Sequence, residues 1–172
     1  MDSPDAVELI VEQWRRERPD CDVSPMEIFG RLVRAARLVE ASQDVVFARY
    51  GLTGPDFDVL ATLRRSGEPF RLTPTALRRA AMVSSAGVTK RIDRLERMRL
   101  VRRLADPADR RGVLVELTAR ARRLVDDVVE EHLENEERLL GTLGTAQRER
   151  IAGSLRVLLA CLESEPATQP GR

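Results

Sequence analysis

Two basic side chains near the middle of the chain have the spacing and chemistry needed to contact a polyanion. Lys90 and Arg94 lie four residues apart, so they share one face of any helix that contains them. An ammonium or guanidinium group in this position can bind phosphate oxygens or base edges. The hydroxyl groups of Ser84, Ser85 and Thr89 lie close by in sequence and can bind the same groups. We therefore predict a nucleic-acid contact at these five residues.

The distribution of charge along the chain supports this interpretation. Residues 71–123 contain 15 of the 29 Lys and Arg residues but only 5 of the 28 Asp and Glu residues, although the whole chain has a formal charge of +1. The central segment therefore attracts a polyanion, and the acidic flanks repel it. Double-stranded DNA is the predicted partner.

The sequence lacks the residue patterns of an enzyme or a metal site. Cys21 and Cys161 are far apart and His132 is the only histidine, so no cluster with metal-ligand spacing can be assembled. We find no nucleophile–base set and no glycine-rich phosphate loop. The sequence therefore predicts a protein that is not an enzyme and that holds neither a metal nor a cofactor.

The composition favours a helical protein of the cytoplasm. Aromatic residues make up 3% of the chain and apolar residues 42%, so Leu, Val, Ile and Ala must form the core. No apolar run approaches the roughly 20 residues that a membrane span needs. Acidic Asp2 and Asp5 lie where a secretion signal would be basic. We therefore expect a cytoplasmic location and no membrane partner.

The elements that must position these side chains are predicted by helix signals. Apolar residues at helical spacing indicate an amphipathic helix over residues 5–18. Ser24, followed by Pro25 and then Glu27, is typical of a helix N-terminus with Ser24 as the cap. The long helix that begins there is expected to stop at Gly51.

Two more long helices are predicted after Thr118 and Thr145. Their apolar stripes are too extensive for a lone pair of helices, so we expect the helices of residues 5–51 and 118–163 to form a dimer interface. His132 lies between acidic residues on the first of them and is predicted to be exposed or a dimer contact. Residues 164–172 are predicted to be a flexible tail.

Residues 53–117 have the pattern of a DNA-reading module. The sequence 53–56, TGPD, predicts the start of a third helix. Thr73, followed by Pro74, opens a short helix, and Ser84 or Ser85 is the predicted cap of the next. Two short helices joined by a tight turn, the second polar and basic on its outer side, form a helix-turn-helix.

A change of period after this helix predicts a β-hairpin. Residues 100–104 and 113–117 alternate as strands do, and residues 106–112 form the predicted basic tip between them. An arginine at such a tip can enter a narrow minor groove, with a neighbouring carboxylate holding its guanidinium group. We predict this pairing for Asp109 and Arg111. The DNA-binding residues expected at the tip are Asp109, Arg110 and Arg111.

These segments resemble the winged helix-turn-helix of MarR-type transcriptional regulators. The resemblance lies in residues 83–103, VSSAGVTKRIDRLERMRLVRR, and residues 104–118, LADPADRRGVLVELT. The family has a DxRDRR-like wing followed by LT, and this chain has DPADRR. The resemblance implies one domain over residues 1–172, mainly α with a small β-wing, in which the winged helix-turn-helix is embedded in a helical dimerisation scaffold. It also implies a homodimer that binds a pseudo-palindromic operator, usually as a repressor.

A finer resemblance is to the urate-responsive PecS/UrtR branch of that family. The branch has an extra N-terminal helix with a tryptophan, here Trp14, and further residues that fall on Asp58, Arg91 and Arg103. This implies release of the operator by a small anionic aromatic molecule, urate or a related purine. Trp14 offers a planar face, Arg103 offers a fork of donors, and Asp58 can pair with Arg91. An anion near Asp58 would weaken that pair. It would thereby move the recognition helix, which is the second helix of the helix-turn-helix.

Other interpretations of these residues stay open. In one alternative, the sole role of Trp14 is to pack the N-terminal helix onto the dimer. In another, Asp58 and Arg91 form an ion pair that is purely structural. A redox-switched MarR-type repressor acting through Cys21 is the alternative function, although a thiolate there would need nearby hydroxyl groups and Tyr50 is far away in sequence. His132 is a candidate pH sensor.

Overall fold

The structure, a computed structural model, describes residues 4–82 and 87–164, and of Arg110 only the backbone. Within those residues the helices are α1 (Ala6–Glu17), α2 (Ser24–Arg49), α3 (Gly54–Arg65), α4 (Pro74–Ala80), α5 (Val88–Arg97), α6 (Ala119–Leu140) and α7 (Thr145–Ser164). The strands are β1 (Arg71–Leu72), β2 (Val101–Asp106) and β3 (Asp109–Leu117). The predicted fold class, mainly α with a small β-wing, is confirmed.

Two compact units make up the chain, Met1–Asn135 and Glu136–Arg172. The core of the first unit joins α3, α4 and α5 to the sheet and to the first half of α6. Its fully buried apolar residues include Val59, Leu60, Leu63, Leu77, Val88, Ile92, Leu95, Val115, Ala121, Val125 and Val128. This core holds the helix-turn-helix and the wing as one body.

A smaller cluster in the first unit attaches α1 to α2. Val7 and Val11 of α1 are buried with Val23, which precedes α2. Gly30 allows this close approach, because a Cβ atom at that position would lie 2.7 Å from a methyl carbon of Val7. Asp5 caps α1 by accepting from the backbone N–H groups of Val7 and Glu8.

Most predicted helix ends are confirmed, but three caps are wrong, one of them Thr145, which is already the first helical residue of α7. Thr53 and Asp56 form a capping box at the start of α3. The residue that caps α2 is Val23, not Ser24, because Ser24 already has helical geometry and donates its N–H to Asp22.

The cap predicted for α5 at Ser84 or Ser85 is also wrong, because this helix begins at Val88 with Gly87 as its N-cap. Ser84 and Ser85 themselves lie outside the described residues.

The sheet has the strand order β1-β3-β2, and all pairs are antiparallel. The sequence missed β1 because a two-residue strand has no period to detect. The hairpin was predicted, but its strands are longer than expected and only Pro107 and Ala108 separate them. Asp109, Arg110 and Arg111 therefore lie at the start of β3 instead of in a loop.

The second unit is described by the end of α6 and by α7. Arg148 donates to the Glu137 carboxylate over 2.7 Å, and this bond lowers the pKa of Glu137. No residue of α7 is buried. Its apolar side chains are instead among the exposed ones, and they include Ile151, Leu155, Val157, Leu159 and Leu162.

Candidate nucleic-acid interface

The helix α5 has a buried apolar face and an exposed polar face. Val88, Ile92 and Leu95 are in the core, at a spacing of three and four residues. Thr89 and Lys90 are exposed on the other side of the helix. This places two of the predicted DNA-binding residues where a nucleic acid can reach them.

Arg94 has surroundings different from those of Lys90, although the two share the predicted face. Its Nε donates to Oδ2 of Asp56 over 3.0 Å, and its Nη2 donates to the carbonyl oxygen of Gly51 over 3.1 Å. Asp56 is fully buried. The Arg94 guanidinium group therefore binds the start of α3 in the protein itself.

The partner predicted for Arg91 is wrong. The ion pair of Arg91 is with Asp56, at 3.9 Å from Nη1 to Oδ1. Asp58 instead accepts from the N–H of Met82 over 2.7 Å and lies 3.9 Å from Nη1 of Arg65. Residues two apart in a helix point to nearly opposite sides, so only one of these two aspartates can face α5.

Arg103 joins the first wing strand to α5. Its Nη2 donates to Oδ1 of Asp93 over 2.5 Å, its Nη1 donates to Glu96, and its backbone N–H donates to Glu96 over 3.2 Å. The bond with Asp93 is the largest cause of a raised pKa at Arg103, and the charge of Glu96 adds to it. A predicted ligand-binding residue is thus held by two carboxylates of the recognition helix.

The wing tip is a tight turn in which a carboxylate holds a backbone amide. Oδ1 of Asp109 accepts from the backbone N–H of Arg111 over 2.9 Å. Among the described ion pairs none joins the Asp109 carboxylate to the Arg111 guanidinium group, so the predicted pairing is wrong, because this carboxylate binds the backbone N–H instead. Gly112 is required here, because a Cβ would lie 2.8 Å from Cβ of Asp106. The Arg111 side chain is exposed, and the Arg110 side chain is outside the described part.

Trp14 lies on α1, and its side chain is exposed to 45%. The main contacts of α1 are with α2, and no described hydrogen bond, ion pair or ring contact joins Trp14 to Asp58, Arg91 or Arg103. Between α1 and α2 lies an apolar groove of about 650 Å³. It is lined by Ile10, Met26, Phe29, Val33 and Leu38, with Arg34 and Arg37 at its edge.

His132 packs in an aromatic cluster, so the first of its two predicted settings, exposure, is wrong, and a dimer contact stays a prediction. Its ring centroid is 5.4 Å from that of Phe47 and 5.3 Å from that of Phe57, and the two phenylalanines stack at 4.6 Å. The reason is that α6 faces both α2 and α3 at this level.

Cys21 lies in the exposed turn after α1, where Arg18 Nη2 is 3.0 Å from its sulfur. The Tyr50 hydroxyl group bonds to Glu131, which raises the pKa of Tyr50. The Tyr50 hydroxyl group, which the redox hypothesis would need near Cys21, is therefore bonded to Glu131 instead.

Asp56 is the residue of this site that we missed. The sequence pattern assigned Asp56 only to the start of α3, a role that it does have in the structure. The pattern did not indicate that Asp56 also binds the arginines of α5. The described residues hold no metal-ligand cluster and no membrane-spanning helix. They contain no group of three or more His, Cys, Asp and Glu side chains placed to hold a metal ion. None of their helices has the length and apolar character for crossing a membrane.

Comparison with known proteins identifies the family. The model of the MarR family matches residues 50–112. HTH-type transcriptional regulator PecS of Dickeya dadantii is 42% identical over 154 residues, which cover 90% of this chain and 90% of PecS.

Solved structures agree with this assignment. BpsR of Bordetella bronchiseptica, whose DNA binding is regulated by 6-hydroxynicotinic acid, is 31% identical with a TM-score of 0.69, over 76% of this chain and 91% of that chain. Sco3205 of Streptomyces coelicolor, solved with DNA, has a TM-score of 0.74 over 87% of this chain and 93% of that chain. Because its sequence is only 21% identical, this similarity shows the fold alone. The chain belongs to the MarR family of DNA-binding transcriptional regulators.

Proposed function

We propose that this regulator binds a pseudo-palindromic operator as a homodimer, represses transcription there, and is released by a small anionic aromatic molecule. The observation that carries the DNA part is the exposed pair Thr89 and Lys90 on a helix whose other face is locked in the core. The wing adds the exposed Arg111 at its tip. Contacts from α5 to base edges and from the wing to the minor groove follow from this arrangement.

The apolar surface of the scaffold helices supports the homodimer. Phe29 and Val33 of α2 are exposed to 44% and 50%, and Ile151 and Leu155 of α7 are each exposed to 46%. An exposed apolar area of this extent on a monomer is typical of a protein–protein interface. A two-fold dimer brings two recognition helices to the two halves of a palindrome.

The ligand part rests on Arg103 and on the relative with a known effector. 6-Hydroxynicotinic acid, which regulates BpsR, is a planar heteroaromatic anion. The Arg103 side chain is 33% exposed and already binds two carboxylates, so it can exchange one of them for a ligand anion. An anion bound there displaces Asp93 or Glu96 from Arg103, which weakens the connection between β2 and α5. Binding then shifts the population away from the DNA-competent form.

A titration with defined ligands tests this function. The protein is bound to a fluorescent operator duplex, and urate, xanthine, 6-hydroxynicotinate and benzoate are added while anisotropy and Trp14 emission are followed. The neutral amide of 6-hydroxynicotinic acid is the matched control, because it keeps the hydroxylated ring and lacks the charge. We expect release by one or more anions and no release by the amide. If none of the four anions changes operator binding, the proposed ligand class is wrong.

A redox switch at Cys21 is the second candidate function. The observation that favours it is the Arg18 guanidinium group beside the exposed sulfur, since a nearby cation stabilises a thiolate. Asp20 lies 3.6 Å from the same sulfur and opposes this effect. Peroxide titration of operator binding with the wild type and with Cys21→Ser separates the two functions. Release that is lost in Cys21→Ser favours the redox switch.

A further inference from the structure

One buried carboxylate, that of Asp56, connects α5 to α3. Asp56 is 0% exposed, and its Oδ2 accepts from the backbone N–H and the hydroxyl group of Thr53 as well as from Nε of Arg94. The same side chain therefore caps α3 and binds α5. A buried carboxylate keeps its charge at low energetic cost only when such partners satisfy it, so these bonds are strongly favoured.

The Arg94 side chain is oriented toward the protein by two bonds at once. Nε binds Asp56, and Nη2 binds the carbonyl oxygen of Gly51, in the connection between α2 and α3. A planar guanidinium group with two donors fixed in this way has a set direction. Lys90, four residues earlier, is exposed and forms no ion pair with any described residue. The two cations of this helix face have different surroundings.

The second oxygen of Asp56 also faces α5. Oδ1 lies 3.9 Å from Nη1 of Arg91 and accepts no hydrogen bond in the described part of the chain. Arg91 and Arg94 are one helical turn apart, so both lie on the side of α5 nearest to the start of α3. The geometry is that of one buried anion against two arginines of the recognition helix.

We propose that Arg94 is a positioning residue, which sets the angle of α5 on α3 through Asp56, and that Lys90 is the cation of this face that contacts DNA. This inference rests on the proposed role of α5 as the helix that reads the operator. Its physical basis is that a guanidinium group bound to a buried carboxylate releases no counterion when DNA binds, whereas a free ammonium group does.

Removal of the anion gives the sharpest test. Asp56→Asn makes the chain more positive and frees Arg94, so a DNA-contacting Arg94 would leave operator affinity equal or higher. A positioning Arg94 makes operator affinity fall, by about tenfold or more, because α5 loses its anchor. Asp20→Asn, in the exposed turn after α1, gives the same change of charge and is the matched control, with affinity expected within about twofold of the wild type.

The salt dependence of operator binding separates the two cations. Lys90→Ala should reduce the slope of log Kobs against log salt by about one per contact, and Arg94→Ala should weaken binding with an unchanged slope. If Arg94→Ala reduces the slope and Asp56→Asn does not weaken binding, the inference is overturned. If Lys90→Ala changes neither affinity nor slope, the proposed role of α5 is wrong instead.

A conservative variant keeps the test independent of folding. Arg94→Lys retains the positive charge but loses the planar guanidinium group that binds Asp56 and Gly51 together. A contact with DNA phosphate would therefore survive, whereas the attachment of α5 to α3 would not. We expect a lower ratio of operator affinity to random-duplex affinity at a temperature well below the melting temperature. A lower melting temperature with an unchanged ratio would show that Arg94 only stabilises the fold. Arg94→Ala and Asp56→Asn should also be non-additive in a double-mutant cycle, because both remove the same contact.

Discussion

Arg103 of β2 donates to Asp93 of α5 across 2.5 Å, and it binds Glu96 one turn further along the same helix. The first wing strand and the recognition helix are thereby connected outside the core. Under the proposed function, two carboxylates compete with the ligand for one guanidinium group, so the strength of this connection is expected to set the ligand concentration needed for release. Residues that form it are expected to change the response to ligand.

The first prediction concerns this connection. Glu96→Gln removes one competing charge and should lower the ligand concentration for half-release, whereas Arg103→Ala should raise it by about tenfold or more through loss of a charged bond. Anisotropy titrations of an operator duplex measure both. Arg102→Ala is the matched control, because Arg102 points to the other face of β2 and binds Glu116. An equal shift in Arg102→Ala and Arg103→Ala would exclude a specific role of Arg103.

The second prediction concerns the wing tip. Arg111→Ala should weaken operator binding and reduce the salt dependence by about one counterion per subunit. Asp109→Ala should have part of this effect, because its carboxylate holds the Arg111 backbone N–H and so the direction of the side chain. The effects should not add when operator affinity is measured for both single variants and the double variant. Strict additivity would mean that Asp109 does not act through Arg111.

The third prediction concerns the dimer. Leu155→Lys places a charge in the middle of the exposed apolar stripe of α7 and should convert the proposed dimer to a monomer, because an unpaired charge is costly in an apolar interface. Sedimentation velocity measures the mass. Ala160→Lys adds the same charge on the opposite side of α7 and should stay dimeric. If both Leu155→Lys and Ala160→Lys remain dimeric, the dimer interface does not include this stripe of α7.

The fourth prediction concerns pH and α1. The Glu8 backbone N–H and then the Arg31 guanidinium group lower the pKa of Asp5 below its ordinary value of 3.8. A depressed pKa in the folded state stabilises the attachment of α1 above the unfolded pKa, and this contribution is lost as pH falls through the folded value. Trp14 emission between pH 5 and 2 measures it, since Trp14 lies on α1.

Asp5→Asn supplies the control for this measurement. The amide still caps α1 through its oxygen but has no charge to lose, so its Trp14 emission should lack the acid transition that Asp5 causes. Superimposable pH profiles of the wild type and Asp5→Asn would show that Asp5 does not hold α1 in place.

Much of the fold follows from local signals in the sequence. The capping box at Thr53 and Asp56, the glycine after α2 and the alternating strands of the wing act over four to nine residues, and each was predicted and observed. Local chemistry determines such features because the bonds involved join neighbours in the chain. The basic segment that carries α5 and the wing was recognised in the same way, from charge alone.

The partners within the site were decided by packing. Asp56 and Asp58 are both near the start of α3, and the sequence offers no reason to choose between them as the partner of an arginine 33 to 38 residues later. The burial of Leu60, Leu63, Ile92 and Leu95 fixes how α5 lies on α3, and this turns Asp56 toward Arg94 and Asp58 toward Met82.

The same reason applies to the contacts of Arg103 and His132. Asp93 and Glu96 reach Arg103 because β2 turns back beside α5, and His132 meets Phe47 and Phe57 because α6 packs on two helices at once. The sequence by itself determined which elements form and where charge is concentrated. Only the tertiary structure decided which charges meet, because the angle between packed elements depends on all the buried side chains between them.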